Sequence, residues 1–213
     1  MRTKLAIAVS LGLISLLTGC SSSSDAKKQE VTGAPPPVYK VNFDTSRGAF
    51  VVEVHTDWAP YGSARFLELV RNGYFDNDRF FRVIRNFIVQ FGINGDPAIN
   101  RDWMNATIPD DPPTQHNQRG TLVYAATRQI NSRSTQLFIN LRDNSGILDP
   151  QHFAPFGKVI TGMEVVDDIY GGYGEMAPSG TGPDPTQIQL EGNAYLTRRF
   201  PHLDYIKTAT LVK

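Results

Sequence analysis

One arginine stands inside a run of large apolar side chains: Phe80-Phe81-Arg82-Val83-Ile84-Arg85-Asn86-Phe87-Ile88-Val89-Gln90-Phe91-Gly92. Burying an unpaired guanidinium costs several kcal/mol. Such a charge persists only if it is paired, exposed in a cleft, or put to use. Strand alternation places Phe80, Arg82 and Ile84 on one face and Phe81 and Val83 on the other. After a turn at Arg85-Asn86, Ile88 and Gln90 share a face of a second short strand. The pattern describes a shallow apolar surface with an arginine and a glutamine at its edge. The chemistry on offer is hydrogen-bond donation from a group that stays protonated and presents a rigid fork. A second reading stays open, in which Arg82 only snorkels its head into water.

Other chemistries find no support. His55, His116, His152 and His202 have no close metal-ligand spacing, and the single cysteine leaves no zinc set, so neither metal nor cofactor is expected. No G-x-S-x-G elbow occurs. The glycine-rich stretch 170–182 lacks the strand–helix setting and the lysine of a phosphate loop. Asp110-Asp111, beside two prolines, reads as a solvated loop rather than a catalytic pair.

The elements that must position Arg82 and Gln90 are mostly strands. Alternating runs over 38–43 and 49–55 flank a hairpin signal, Asp44-Thr45-Ser46-Arg47-Gly48. Between Pro60 and Asn72, Phe66, Leu69 and Val70 recur at helical spacing, and Gly73 follows as a stop. Further strands are expected over 79–84, 87–91, 121–126, 136–141, 153–160 and 205–212, with a second helix over 163–170. About eight strands and two helices fit a mainly β, closed antiparallel barrel. Two long loops interrupt it. Residues 94–120 should line the cleft or lie beside it, while 171–201, rich in glycine and proline, reads as a surface Ω-like excursion or a partner-binding loop.

Three ordered blocks add a family resemblance. The Phe80–Gly92 run, then Arg133-Ser134-Thr135-Gln136-Leu137-Phe138-Ile139-Asn140, then Leu148-Asp149-Pro150-Gln151-His152-Phe153-Ala154-Pro155-Phe156-Gly157-Lys158-Val159 resemble the cyclophilin peptidyl-prolyl cis–trans isomerases over 38–213. The resemblance implies an eight-stranded barrel with helices capping its ends, and non-covalent catalysis of rotation about X–Pro bonds in proline-containing polypeptides. Arg82 matches the catalytic arginine. Phe87, Ile88, Phe138 and Leu148 match the proline pocket, Gln90 and Gln136 polar groove positions, Ala125 a small groove residue and His152 a rim histidine. Departures accompany these matches. Ile88 replaces a frequent methionine, and Ala126 stands where an asparagine often binds substrate backbone. One extra residue falls between Phe138 and Leu148, and Gly146-Ile147 occupies the place of a wall aromatic, which implies weak cyclosporin binding. A competing function is a tethered module that grips proline-containing segments without important turnover.

The 213 residues fit one domain plus a leader, with 40% apolar and 20% charged residues. Arg2 and Lys4 precede an apolar run over 5–17 that ends Leu17-Thr18-Gly19-Cys20. This reads as a secretory leader over 1–19, and its end resembles a bacterial lipobox, with Cys20 as the acylated first residue. Cleavage there leaves 19 basic and 21 acidic residues, so no nucleic-acid partner is expected. Residues 20–37, with four serines and Pro35-Pro36-Pro37, read as a flexible tether. The expected address is the bacterial cell envelope, facing the periplasm. The outer membrane is favoured because Ser21 stands where an inner-membrane retention signal has aspartate.

Overall fold

The computed structural model describes residues 35–213. Cys20, the leader and most of the tether lie outside the described residues. The strands are β1 (Val38–Thr45), β2 (Gly48–His55), β3 (Arg82–Ile84), β4 (Ile88–Phe91), β5 (Thr121–Tyr124), β6 (Leu137–Asn140), β7 (Pro155–Thr161) and β8 (Ile206–Leu211). They pair antiparallel in one sheet of order β3-β4-β6-β5-β7-β2-β1-β8. Already at Pro36 and Pro37 the chain is tied down, since their carbonyls accept from Thr56 Oγ1 at 2.6 Å and Thr56 N at 2.9 Å. The domain edge therefore precedes Val38 slightly.

Period-two alternation builds the interior. Tyr39, Val41 and Phe43 of β1 and Phe50, Val52 and Val54 of β2 all point into the core. Phe43 lies opposite Phe50 in the register, with ring centroids 4.8 Å apart. Helix α1 (Pro60–Arg71) buries Phe66, Leu69 and Val70 and packs on β7 and β8. Phe66 meets Phe43, Phe75 and Phe156 in one aromatic cluster.

Four expectations need correction. The sheet curls but is not a continuously closed barrel, because β3 is three residues long and forms no ladder with β8. The gap is spanned by an isolated bridge, Arg79 to Tyr205, with hydrogen bonds from Phe80 N to Asp204 O and Ile206 N to Asp78 O. Strict alternation through Phe80 also fails, for the same reason. Phe80 joins Val83 in the main core, while Phe81 enters a separate cluster.

Helices are more numerous than the two expected. Besides α1 and α4 (Met163–Asp168), which packs on β2, the described residues hold α2 (Pro97–Trp103), α3 (Ser145–Leu148), α5 (Pro185–Glu191) and α6 (Asn193–Arg199). These four lie in segments whose glycine, proline and polar content reads as loop. Finally, 171–201 is not an open Ω-loop. Its helices α5 and α6 enclose a second core of Phe81, Ile93, Ile188, Leu196 and Leu203, flanked by Tyr173, Met176, Tyr195 and Phe200.

Candidate active site

The outer face of the sheet carries the site. Register sets Arg82 of β3 opposite Gln90 of β4, Gln90 opposite Phe138 of β6, and Phe138 opposite Val123 of β5. One row therefore crosses four strands and passes from charge to amide to apolar ring. The residues between them in sequence, Val83, Val89, Ile139 and Leu122, face the main core. The β3–β4 turn works because Asn86 adopts φ 58°, a left-handed conformation asparagine tolerates. Phe87 N then donates to Ile84 O at 3.0 Å.

The floor is a cluster of Ile88, Val123, Phe138 and Leu148, with Phe87, Ala125 and Phe153 at its margin. Phe153 meets Phe138 edge-on at 5.6 Å. Polar groups brace this apolar patch. Asn144 Nδ2 donates to Phe87 O and Asn140 Oδ1, and Leu148 N donates to Asn144 O. Asp149 accepts from Asn117 N and Nδ2 and pairs with His116, which fixes the turn after α3. Phe138→Ala is expected to weaken substrate binding and to cost about 3 kcal/mol, from lost burial and a cavity that the open groove partly rehydrates. A raised KM together with a lower urea midpoint would bear this out, and an unchanged KM would count against Phe138 as the floor.

Arg82 is neither unpaired nor merely snorkelling. Its Nε and Nη2 donate to Glu175 Oε1 and Oε2 at 2.6 and 2.7 Å, and Nη1 donates to Gln90 Oε1 at 2.9 Å. Gln90 Nε2 donates on to Gln136 Oε1 at 3.0 Å. A guanidinium has five N–H donors, so two remain for a ligand. The bound Arg82 guanidinium holds the Glu175 carboxyl below its ordinary value, against a smaller opposing effect of burial. Glu175 is thus a carboxylate at neutral pH, and the pairing weakens only on acidification below that ordinary value.

Arg82, Phe87, Ile88, Gln90, Ala125, Gln136, Phe138 and Leu148 all line one open groove of about 510 Å3. His152 does not. It is exposed, sits at φ 62° after a 3-10 turn (Asp149–Gln151), and borders a neighbouring depression that shares Ala126, Thr127, Gln151 and Phe153 with the groove. Ile147, 45% exposed, stands in the groove wall beside Leu148. Sequence reasoning missed Phe153, Met176 and Pro185 as lining residues and Glu175 as the partner of Arg82. Phe153 had a signal, since it lies inside the third block. The other three come from the excursion, which has no marker pointing to the groove.

The depression also corrects the reading of Asp110-Asp111. Asp111 is buried, not solvated. Its Oδ2 accepts from Arg133 Nη1 at 3.1 Å and Gly62 N at 2.8 Å, and its Oδ1 accepts from Tyr61 N at 2.9 Å. It therefore caps α1, whose own Ala59 offers no side-chain cap.

Comparison with known proteins agrees with this geometry. A family model described as "Cyclophilin type peptidyl-prolyl cis-trans isomerase/CLD" matches residues 40–188. Peptidyl-prolyl cis-trans isomerase B of Escherichia coli is 33% identical over 138 residues, covering 62% of this chain and 84% of the relative. A peptidyl-prolyl cis-trans isomerase of Acinetobacter baylyi is 34% identical over 133 residues, covering 61% and 70%. Among solved structures, a Cryptosporidium parvum cyclophilin type peptidyl-prolyl cis-trans isomerase superposes with a TM-score of 0.59 at 21% identity, covering 83% of this chain and 98% of its own. At that identity it speaks for the fold alone.

Proposed function

The chain belongs to the cyclophilin-type peptidyl-prolyl cis–trans isomerases and has their enzymatic activity, and from that premise we propose that Arg82 is the group that stabilises the twisted X–Pro amide. The supporting observation is a protonated fork, with two donors unspent, at the edge of the apolar floor formed by Ile88, Phe138 and Leu148.

Rotation about the bond faces a barrier near ~20 kcal/mol because it breaks amide resonance. Nothing covalent need form. The floor grips the proline ring in every rotational state, which binds without accelerating. Twisting localises a lone pair on the prolyl nitrogen, and a donor that strengthens its bond to that nitrogen selects the twisted state. Gln90 holds one side of the guanidinium, and Gln136 presents its amide to the substrate backbone. A solved structure of the same fold obtained in the presence of the dipeptide Ala-Pro supports a proline-containing ligand. A protease-coupled assay on a short X–Pro peptide tests the reading directly. Binding without acceleration would leave only a holding module.

The clients are proline-containing segments of exported proteins, and the enzyme is tethered to the envelope membrane through acylated Cys20, facing the periplasm and favouring the outer membrane. Support comes from Leu17-Thr18-Gly19-Cys20 at the end of the apolar run. Metabolic labelling with a fatty-acid analogue should mark the wild type and not Cys20→Ser. Equal labelling of both would remove the anchor. Cyclosporin binds weakly because Ile147 stands where an aromatic would form the wall. One lost aromatic contact is worth about 1–2 kcal/mol, roughly tenfold in affinity. Calorimetric titration should show Ile147→Trp recovering part of that, whereas a tight wild-type complex would refute it.

A further inference from the structure

The excursion between α4 and β8 is anchored at both ends and along its length. Tyr170 N donates to Asp204 Oδ2 at 2.7 Å, Asn193 N to Gly95 O at 2.8 Å, and Asn193 Nδ2 to Asn77 O at 2.9 Å. Its small core closes over Phe81, the residue directly before Arg82. The segment that packs on Phe81 therefore also reaches the groove face of the strand, its front, where Arg82 stands.

What reaches the front is Glu175, and the backbone around it is built for a single position. Gly182 N donates to Glu175 O and Gly180 N to Met176 O, both at 2.8 Å. A Cβ on Gly180 would stand 2.4 Å from Glu175 O, and one on Gly182 would stand 2.7 Å from the same oxygen. Only glycine lets this turn close so tightly. Both carboxylate oxygens are committed, Oε1 to Arg82 Nε and to Met176 N at 2.8 Å, and Oε2 to Arg82 Nη2.

An arginine has a long flexible stem, and ordering it costs rotamer freedom. Gln90 alone holds a single N–H and leaves the guanidinium free to swing about that contact. Glu175 takes the opposite edge bidentately, which removes the remaining freedom and leaves two N–H groups for the substrate. We propose that Glu175 is a positioning residue of this isomerase, delivered by the 171–201 excursion to fix the Arg82 fork in its productive orientation. The inference rests on the reading of Arg82 given above. The opposite possibility is a clamp, in which the carboxylate damps the charge of Arg82 and restrains turnover. The two differ in the sign of one measurement.

The experiment measures kcat and KM by NMR exchange on an X–Pro peptide for wild type, Glu175→Gln, Glu175→Asp, Gly180→Ala, Arg82→Ala and the Arg82→Ala/Glu175→Gln pair. Glu175→Gln should lower kcat about tenfold with KM within twofold, and Glu175→Asp should recover part of the loss. Gly180→Ala, which moves the turn and leaves the carboxylate intact, should reproduce the loss. In the Arg82→Ala background Glu175→Gln should change nothing further, and the Arg82 Nε–H resonance should lose its protection from exchange in the single variant. A rise in kcat, an unchanged kcat, or an equal loss in both backgrounds each overturns the proposal. Full activity of Arg82→Ala alone overturns the Arg82 reading, and the positioning role falls with it.

Discussion

Arg82→Ala is expected to lower kcat/KM by about 10²–10³, the cost of removing a preorganised donor from a transition state, roughly 3–4 kcal/mol. KM should move little, since the apolar floor remains. Removing the guanidinium strands the Glu175 carboxylate, but that side chain is 34% exposed and returns to water. The stability loss should therefore stay at about 1 kcal/mol or less. Arg82→Lys should rescue poorly. A single ammonium can reach Glu175 or Gln90, but it cannot hold both and still present donors to substrate. The paired outcome is decisive: if Arg82→Ala unfolds the domain while Arg82→Lys keeps full activity, Arg82 is a structural partner of Glu175 and the chemistry lies elsewhere.

The largest expected effect on stability comes from a residue away from the groove. Asp111→Ala should destabilise the fold by about 3–5 kcal/mol, because it takes the buried carboxylate from a buried guanidinium and leaves it only Pro109 O and the half-exposed Asp110. The Arg133 and Asp111 side chains are 6% and 0% exposed. The change also strips acceptors from Tyr61 N and Gly62 N at the start of α1, where helix N–H groups have no partners of their own. At roughly 2–4 °C per kcal/mol for a domain of this size, thermal denaturation should shift down by about 10 °C. Asp110→Ala is the control. Asp110 binds the same arginine at 3.1 Å, but its side chain is 46% exposed, so a loss under about 1 kcal/mol is expected. Equal shifts for the two variants would mean that Asp110 holds Arg133 as well as Asp111 does and that the capping of α1 carries little of the stability.

Asp111 also illustrates where sequence reading stops. Two aspartates between prolines in a polar loop have no local feature that separates a buried cap from a solvated turn. The deciding partners are Gly62 and Arg133, 49 residues before and 22 residues after Asp111. The excursion 171–201 misleads in a related way. Its glycines and prolines read as loop, yet they are what allow two short helices and a closed turn to fit against Phe81.

By itself the sequence determined which side chains within β3 and within β4 share a face. Arg82 shares a face with Ile84, and Ile88 with Gln90, because side chains alternate with period two. The hairpin of β1 and β2 and helix α1 follow from the same local periodicities, whereas the groove floor was legible only through the family resemblance. Tertiary structure alone decided that Glu175 meets Arg82, that Met176 and Pro185 wall the groove, that His152 stands outside it, and that the sheet stops short of closing between β3 and β8. The physical reason is common to all four. Periodicity is a property of neighbouring residues and is written into the chain, whereas an ion pair or a packed wall between distant segments depends on how the whole core closes.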